Sequence, residues 1–341
     1  MKTICLLFII LIIAILSSCN NLNINNKTSK LFEFSDTLRG EILPGYIDDV
    51  TRIYYSEYGI ISKSKNKRNF IRIYDTTYVK CKNSYGMIGR GPKEYVNPIG
   101  QGYNSSTNNF FVTDIFSHSA GVFKINSDSI KEVLRIPIKD YVVSFQNLDD
   151  STNIILTMFD GQYLKLITNK GKTLDSVEYR VFYDKNINYN KNRNNSTITK
   201  IPNKELFIIK TREFPVLDMF SCLNNKIKHL WRKELYSSLY FIENGWFKQN
   251  KDKHIESFVS SAASENRIYL TSYLMTLNEY INTKNSRFGN TALFVFDLAG
   301  NLVSKSMLDK CVHTITVKPD DSILYGMISS PDVSIVKYKL N

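Results

Sequence analysis

Beyond residue 30 the chain alternates apolar and polar residues in short runs, with Ile, Val, Tyr and Phe set between clusters of Asn, Asp, Ser and Gly. A two-residue period places successive side chains on opposite faces of a strand, so the runs predict β-strands and the clusters predict turns. No long stretch keeps the period of an amphipathic helix. The clearest stretch predicts strands over 99–103, 110–114, 121–126 and 131–136. Asn-Ser-Ser-Thr-Asn, Phe-Ser-His-Ser and Asn-Ser-Asp-Ser separate them, as hairpin turns would.

The four-strand pattern recurs about every 40 residues, the spacing of a propeller blade. Further units fall at 50–84, 142–180, 196–235 and 258–308, while 312–340 has room for only three strands. Residues 31–37, which have no blade of their own, are expected to supply the fourth. Joining the two chain ends in one sheet leaves no open edge in that blade. The prediction is an all-β chain folded as one six-bladed β-propeller over 31–341, its last blade closed by the N-terminal strand.

One stretch carries a family resemblance. Gly86, Gly89, Arg90, Gly91, Pro92, Lys93, Glu94 and Tyr95, followed by Pro98, Gly100, the run Phe110, Phe111, Val112, Thr113, Asp114, and Val122-Phe123, resemble the linker and blade of NHL-type and TolB-like six-bladed propellers. The match is nearest to exported six-bladed propeller lipoproteins whose linker reads GxGPGEY. Lys93 stands at that pattern's second glycine. The resemblance implies a propeller and a binding scaffold, and it implies the linker role for Gly89, Gly91, Pro92, Glu94 and Tyr95.

Residues 1–19 read as a lipoprotein signal. Lys2 supplies the positive start, and 4–16 is an apolar run of 13 residues, short of the roughly 20 needed to span a bilayer. It closes on Leu16-Ser17-Ser18-Cys19, which resembles a lipobox, with Cys19 as the acylated residue. Residues 20–30 form a polar tether. The expectation is an exported protein, lipid-anchored to the cell envelope. Since no aspartate follows Cys19, the outer membrane of a Gram-negative bacterium is the expected site.

The net charge of +12 arises from 44 Lys and Arg against 32 Asp and Glu. Such a balance biases association towards anionic surfaces, and the compartment makes nucleic acid the wrong partner. Within a blade, antiparallel strands send second-to-third turns and blade-to-blade linkers to one rim. The long insertions fall on those connections and carry Lys63, Lys65, Lys67 and Arg68, then Arg90 and Lys93, then Lys185, Lys191 and Arg193, then Lys284 and Arg287. Tyr240, Phe241, Trp246 and Phe247 add aromatic anchors in the longest linker. One rim is therefore expected to be a basic surface for an acidic glycan, lipid head groups or an acidic patch on an envelope protein.

The sequence has no HExxH, GxSxG or CxxC, and no P-loop lysine follows the Gly86 to Gly91 run. No cofactor or metal is expected. Asp114 and His118 stand near each other at a strand end, as a base or metal pair would, though turn chemistry accounts for them too. The alternative to a binding scaffold is a propeller-fold glycan hydrolase or lyase, which needs two carboxylates in one pocket. Cys81, Cys222 and Cys311 permit at most one disulfide and are expected as small buried hydrophobes. Asp-Ser/Thr-apolar triplets at Asp36, Asp75, Asp128, Asp150, Asp175 and Asp321 resemble acceptors of periplasmic O-glycosylation, and the same pattern is ordinary hairpin chemistry.

Overall fold

The computed structural model describes residues 33–340 except 35, 48–49, 65–67, 159–161, 182–195, 237–239, 245, 251, 256–257, 283–290 and 330–331. Two short strands come first, β1 (Thr37–Leu38) and β2 (Glu41–Ile42). Blade one is β3 (Val50–Ser56), β4 (Gly59–Ser64), β5 (Arg68–Tyr74) and β6 (Cys81–Met87). Blade two is β7 (Pro98–Asn104), β8 (Asn109–Asp114), β9 (Ser119–Ile125) and β10 (Ile130–Pro137). Blade three is β11 (Tyr141–Asn147), β12 (Thr152–Met158), β13 (Tyr163–Thr168) and β14 (Thr173–Glu178). Blade four is β15 (Ser196–Lys200), β16 (Leu206–Thr211), β17 (Val216–Leu223) and β18 (Lys226–Glu234). A separate hairpin follows, β19 (Tyr240–Glu243) and β20 (Trp246–Gln249). Blade five is β21 (Ser260–Ala263), β22 (Arg267–Ser272), β23 (Thr291–Asp297) and β24 (Leu302–Leu308), with a short helix α1 (Leu277–Asn282) between β22 and β23. Blade six is β25 (Thr314–Val317), β26 (Ile323–Ile328) and β27 (Ser334–Lys339).

Each blade is an antiparallel meander, and the first strands of neighbouring blades adjoin around a ring. The six predicted units and their boundaries are therefore observed to within a few residues. The second strand of each blade is covered on both faces, and this is why it reads as a nearly continuous apolar run. In β8 the two-residue period sends Phe110 and Val112 to the core shared with blade one and Phe111 to the core shared with blade three. In β12, Ile155 faces blade two while Ile154 and Leu156 face blade four. Outer strands face solvent on one side and are polar and charged, as in β18 with Lys226, Lys228, Arg232 and Lys233. Register shifts interrupt the outer pair in five blades. Bulges and charges of this kind keep exposed edges from pairing with other chains.

Closure falls a few residues later than expected. The fourth strand of blade six is β2: Glu41 pairs with Lys337 and Ile42 with Val336, and the Leu43 N–H donates to Ile335 O at 2.9 Å. Leu43 carries a buried side chain into the core between this blade and blade one, while residues 31, 32 and 35 of the expected closing strand lie outside the described residues. Gly40 fixes the position, because a Cβ there would collide with Val336 Cγ1. Just before it, Leu38 O accepts from Asp309 N at 3.1 Å, so this end of β1 lies against the outer side of blade five.

Candidate functional site: a loop-bearing rim over a basic channel

Strand direction sorts the connections into two rims. The connections β6–β7, β14–β15, β18–β21 and β22–β23, with β19–β20 and α1 inside the last two, leave from and return to one rim. The other rim carries tight turns. At Asn224-Asn225 both residues hold positive φ, 52° and 57°, the conformation that a two-residue hairpin matched to strand twist requires.

The expected rim residues divide into three groups. Arg68, Arg90 and Lys93 are exposed on the loop-bearing rim. Lys63 is buried at the end of β4, packed so closely on Gly100 that a Cβ there would sit 2.9 Å from the lysine Cβ; it is a strand residue, not part of an exposed loop. Lys65, Lys67, Lys185, Lys191, Arg193, Lys284 and Arg287 lie outside the described residues. The backbones of Tyr240, Phe241, Trp246 and Phe247 form the β19–β20 hairpin within the longest linker.

The linker motif is a structural device. The Glu94 carboxylate accepts from Gly91 N at 2.7 Å; a Cβ at Gly89 would collide with that carboxylate, and one at Gly91 would lie 3.0 Å from its carbon. Lys93 needs no glycine, because its φ is not positive. Tyr95 is fully buried between blades one and two, edge-on to Phe70, and Gly121 leaves room for its hydroxyl. That hydroxyl donates to Glu132, which pairs with Arg135. The next odd linker repeats the scheme. Tyr179 donates to the fully buried Asp218 at 3.0 Å, Arg232 grips the same carboxylate through Nε and Nη2, and Arg232 also donates to the carbonyls of Arg180 and Val181. His229 Nε2 meets Asp218 Oδ1, the oxygen that also accepts from Arg232 Nε, at 2.8 Å.

Asp114 and His118 do not form a catalytic or metal pair. Buried Asp114 accepts from Val96 N and Phe116 N and ties linker to turn, while exposed His118 takes φ 48° and its carbonyl accepts from Ile138 N. The three cysteines are unpaired; Cys81 is exposed, contrary to expectation, and burial pushes the Cys222 and Cys311 thiols up to about 11. Several acidic turns are held by their own side chains, as where Asp75 accepts from Thr77 N and Oγ1.

Beneath the loop-bearing rim, the first strands enclose a cavity of about 350 Å³ at the ring centre. A collar of side chains locks these strands together. Phe145 N donates to Gln101, Ile198 N to Ser144, Ile315 N to Ser260 and Tyr55 N to Thr316; Thr199 and Ser261 share a hydroxyl contact, and Arg52 Nη1 donates to Gly100 O. Together these cross every joint of the ring. Arg52, Lys200, Lys210 and Arg212 line the cavity, and no Asp or Glu is among the described residues that do. The described lining therefore holds no pair of carboxylates. Burial pushes the Lys200 ammonium down, against the pull of nearby Asp149 and Glu205. Those acids border a second hollow on the short-turn rim. There burial of Asp149 is outweighed by hydrogen bonds from Thr152 and Ser151, which hold its carboxyl below the usual range. The sequence reading missed the channel cations, because Arg52 and Lys200 sit in ordinary strand patterns and Lys210 belongs to a second strand. Their position in a first strand was the available signal for Arg52 and Lys200.

Residues 57–320 match the TolB-like 6-blade propeller-like family model, and the chain belongs to that family. No curated protein matches. Among solved structures, a Bacteroides fragilis protein described as exported is 10% identical with a TM-score of 0.58, covering 90% of this chain and 96% of its own. The propeller domain of Myceliophteria thermophila Cps50 (Swd1) is also 10% identical, with a TM-score of 0.51 and coverage of 89% and 100%. At such identities the likeness is one of fold. No helix among the described residues is long and apolar enough to cross a membrane.

Proposed function

We propose that this chain is an exported, lipid-anchored binding scaffold that holds an anionic partner on its loop-bearing rim without transforming it. The observation that carries the reading is the segregation of every long connection to one rim, with Arg68, Arg90 and Lys93 exposed there. Loops on a rigid scaffold are where propellers place recognition. Cys19 and the polar tether support anchoring, and the exported Bacteroides fragilis neighbour supports export. The partner is an acidic glycan or an acidic patch of an envelope protein, met by cations and by the aromatic-rich β19–β20 hairpin.

Retention on immobilised polygalacturonate at graded salt tests this. Lys65, Lys67, Lys191 and Arg193 changed together to Glu are expected to abolish retention. The same reversal at Lys170, Lys172, Lys226 and Lys318 on the opposite rim is expected to leave it near wild type. Equal loss in both variants, or in neither, contradicts the proposal.

A further inference from the structure

We propose that Ser329, His313 and Tyr273 act as nucleophile, base and orienter at the loop-bearing mouth of the channel and hydrolyse carboxylic esters of small hydroxylated alcohols. This activity concerns small esters and is separate from retention of a macromolecular partner on the rim.

Strand parity brings the three residues together from blades five and six. Tyr273 directly follows β22 and Ser329 directly follows β26, the second strands of their blades, while His313 directly precedes the first strand β25. Second strands end, and first strands begin, at the same rim. The His313 N–H donates to Met327 O at 2.9 Å, which seats the residue beside the end of β26. Its ring then bridges two hydroxyls. Ser329 Oγ lies 2.5 Å from Nε2, and Tyr273 Oη lies 2.6 Å from Nδ1 with the two rings edge to face.

Each member has the surroundings its role needs. Ser329 is exposed, so a carbonyl can reach its Oγ, and Tyr273 is buried. Burial pushes the His313 pKa down, so the imidazole is neutral at neutral pH and able to take a proton. In the reactive tautomer Nδ1–H donates to Tyr273 Oη, which leaves the Nε2 lone pair to accept from Ser329. A neutral phenol orients the ring without stabilising the imidazolium as an aspartate would, so turnover is expected to be slow. Arrangements of this kind are defined by geometry and roles, and no GxSxG elbow is required.

The atoms balance without a further reactant beyond water. Ser329 Oγ bonds to the ester carbonyl carbon as its proton passes to His313 Nε2. The bond from that carbon to the alcohol oxygen breaks, and the proton on Nε2 goes to the departing oxygen. Water then attacks the acyl-serine, giving a proton to Nε2 that returns to Oγ as the carboxylic acid leaves. His313 and Tyr273 also line the central cavity of about 350 Å³, a volume at the lower end of small-ligand pockets. Gln101, Gln146, Thr197, Ser261 and Thr314 give that cavity a hydrogen-bonding wall suited to the hydroxylated alcohol, with the ester carbonyl at the mouth beside Ser329.

Covalent labelling and turnover by the intact protein test the assignment. A fluorophosphonate is expected to label Ser329, as located by peptide mass spectrometry. Acetate release from 6-O-acetyl-D-glucose is expected to exceed that from ethyl acetate by at least ~10-fold in kcat/KM. Ser329→Ala and His313→Gln are each expected to lower it by ~100-fold or more, and Tyr273→Phe to lower kcat by ~10-fold with KM unchanged. The His313 and Tyr273 variants count only if their melting temperatures hold, and Ser329→Ala, at an exposed position, decides otherwise. Labelling confined to another residue, no turnover of either ester, equal turnover of ethyl acetate, or undiminished turnover in Ser329→Ala would each overturn the proposal. Polygalacturonate retention is expected to be the same in Ser329→Ala as in wild type, so failure at the channel mouth is distinguishable from failure at the rim.

Discussion

The guanidinium of Arg135 lies over the ring of Tyr95, 4.2 Å from its centroid, while both side chains hold the Glu132 carboxylate. Arg135 reaches this place from the outer strand of blade two, and its Nη atoms also approach the carbonyls of Glu94 and Lys93. The linker is thereby clamped from its far side. Tyr95→Phe is expected to cost about 1 kcal/mol, the value of one hydrogen bond. Tyr95→Ala is expected to cost about 3–5 kcal/mol, because it empties a fully buried aromatic site. Urea midpoints would show the difference, and a loss under about 1 kcal/mol for the alanine variant would mean the linker does not hold the blades.

Closure by β2 places a second load on few residues. Leu43→Ala is expected to destabilise by about 3 kcal/mol, and a chain beginning at Pro44 to lose cooperative unfolding. Gly40→Val should also destabilise, since the added side chain meets Val336 and Tyr338. A melting temperature unchanged in Leu43→Ala would show that blade six does not depend on this strand.

Most of the blade pattern was legible because burial on one or both faces writes itself as alternation or as an apolar run, as in Phe110 to Val112. The closing strand was harder to place. Glu41 and Ile42 are both exposed and have no alternation to display, and Gly40 and Leu43 acquire meaning only against Val336 and Ile335. The loop-bearing rim followed from strand parity alone. Lys63 could not be placed that way, because strand β4 extends through it. Arg52, Lys210 and Arg212 come together only through the ring, from blades one and four.

Acid should weaken the fold in two stages. Burial lowers the pKa of His254, partly offset by a hydrogen bond with the Glu213 backbone, and burial lowers that of His313. Each imidazole is neutral in the fold and binds a proton more readily when unfolded. Their contribution is complete above the unfolded value of about 6.5 and declines as pH falls towards the folded values, by up to about 1.4 kcal/mol per pH unit for each. Asp149, with its pKa depressed, adds stability above about pH 4 that is lost below it. Melting temperatures from pH 8 to pH 3 should fall first below about 6.5, and His254→Gln should flatten that first stage. A flat profile down to pH 5 in the wild type would refute the histidine contribution.

The proposed anchoring rests on a single atom, the Cys19 sulfur. Cys19→Ala, expressed with its native signal, is expected to move the protein out of the membrane fraction, as seen by fractionation and immunoblot. Intact mass of the wild type from membranes should exceed that of the polypeptide from residue 19 by the acyl groups. Retention of the alanine variant in the membrane would count against lipid anchoring.

The location of binding is the central claim, and hydrogen exchange with and without bound polygalacturonate oligomers reads it residue by residue. Protection is predicted in 65–68, 88–97, 179–195, 235–259 and 273–290, the connections of the loop-bearing rim. Protection confined to the opposite turns, at 57–58, 126–129, 169–172, 224–225 and 298–301, would contradict the account.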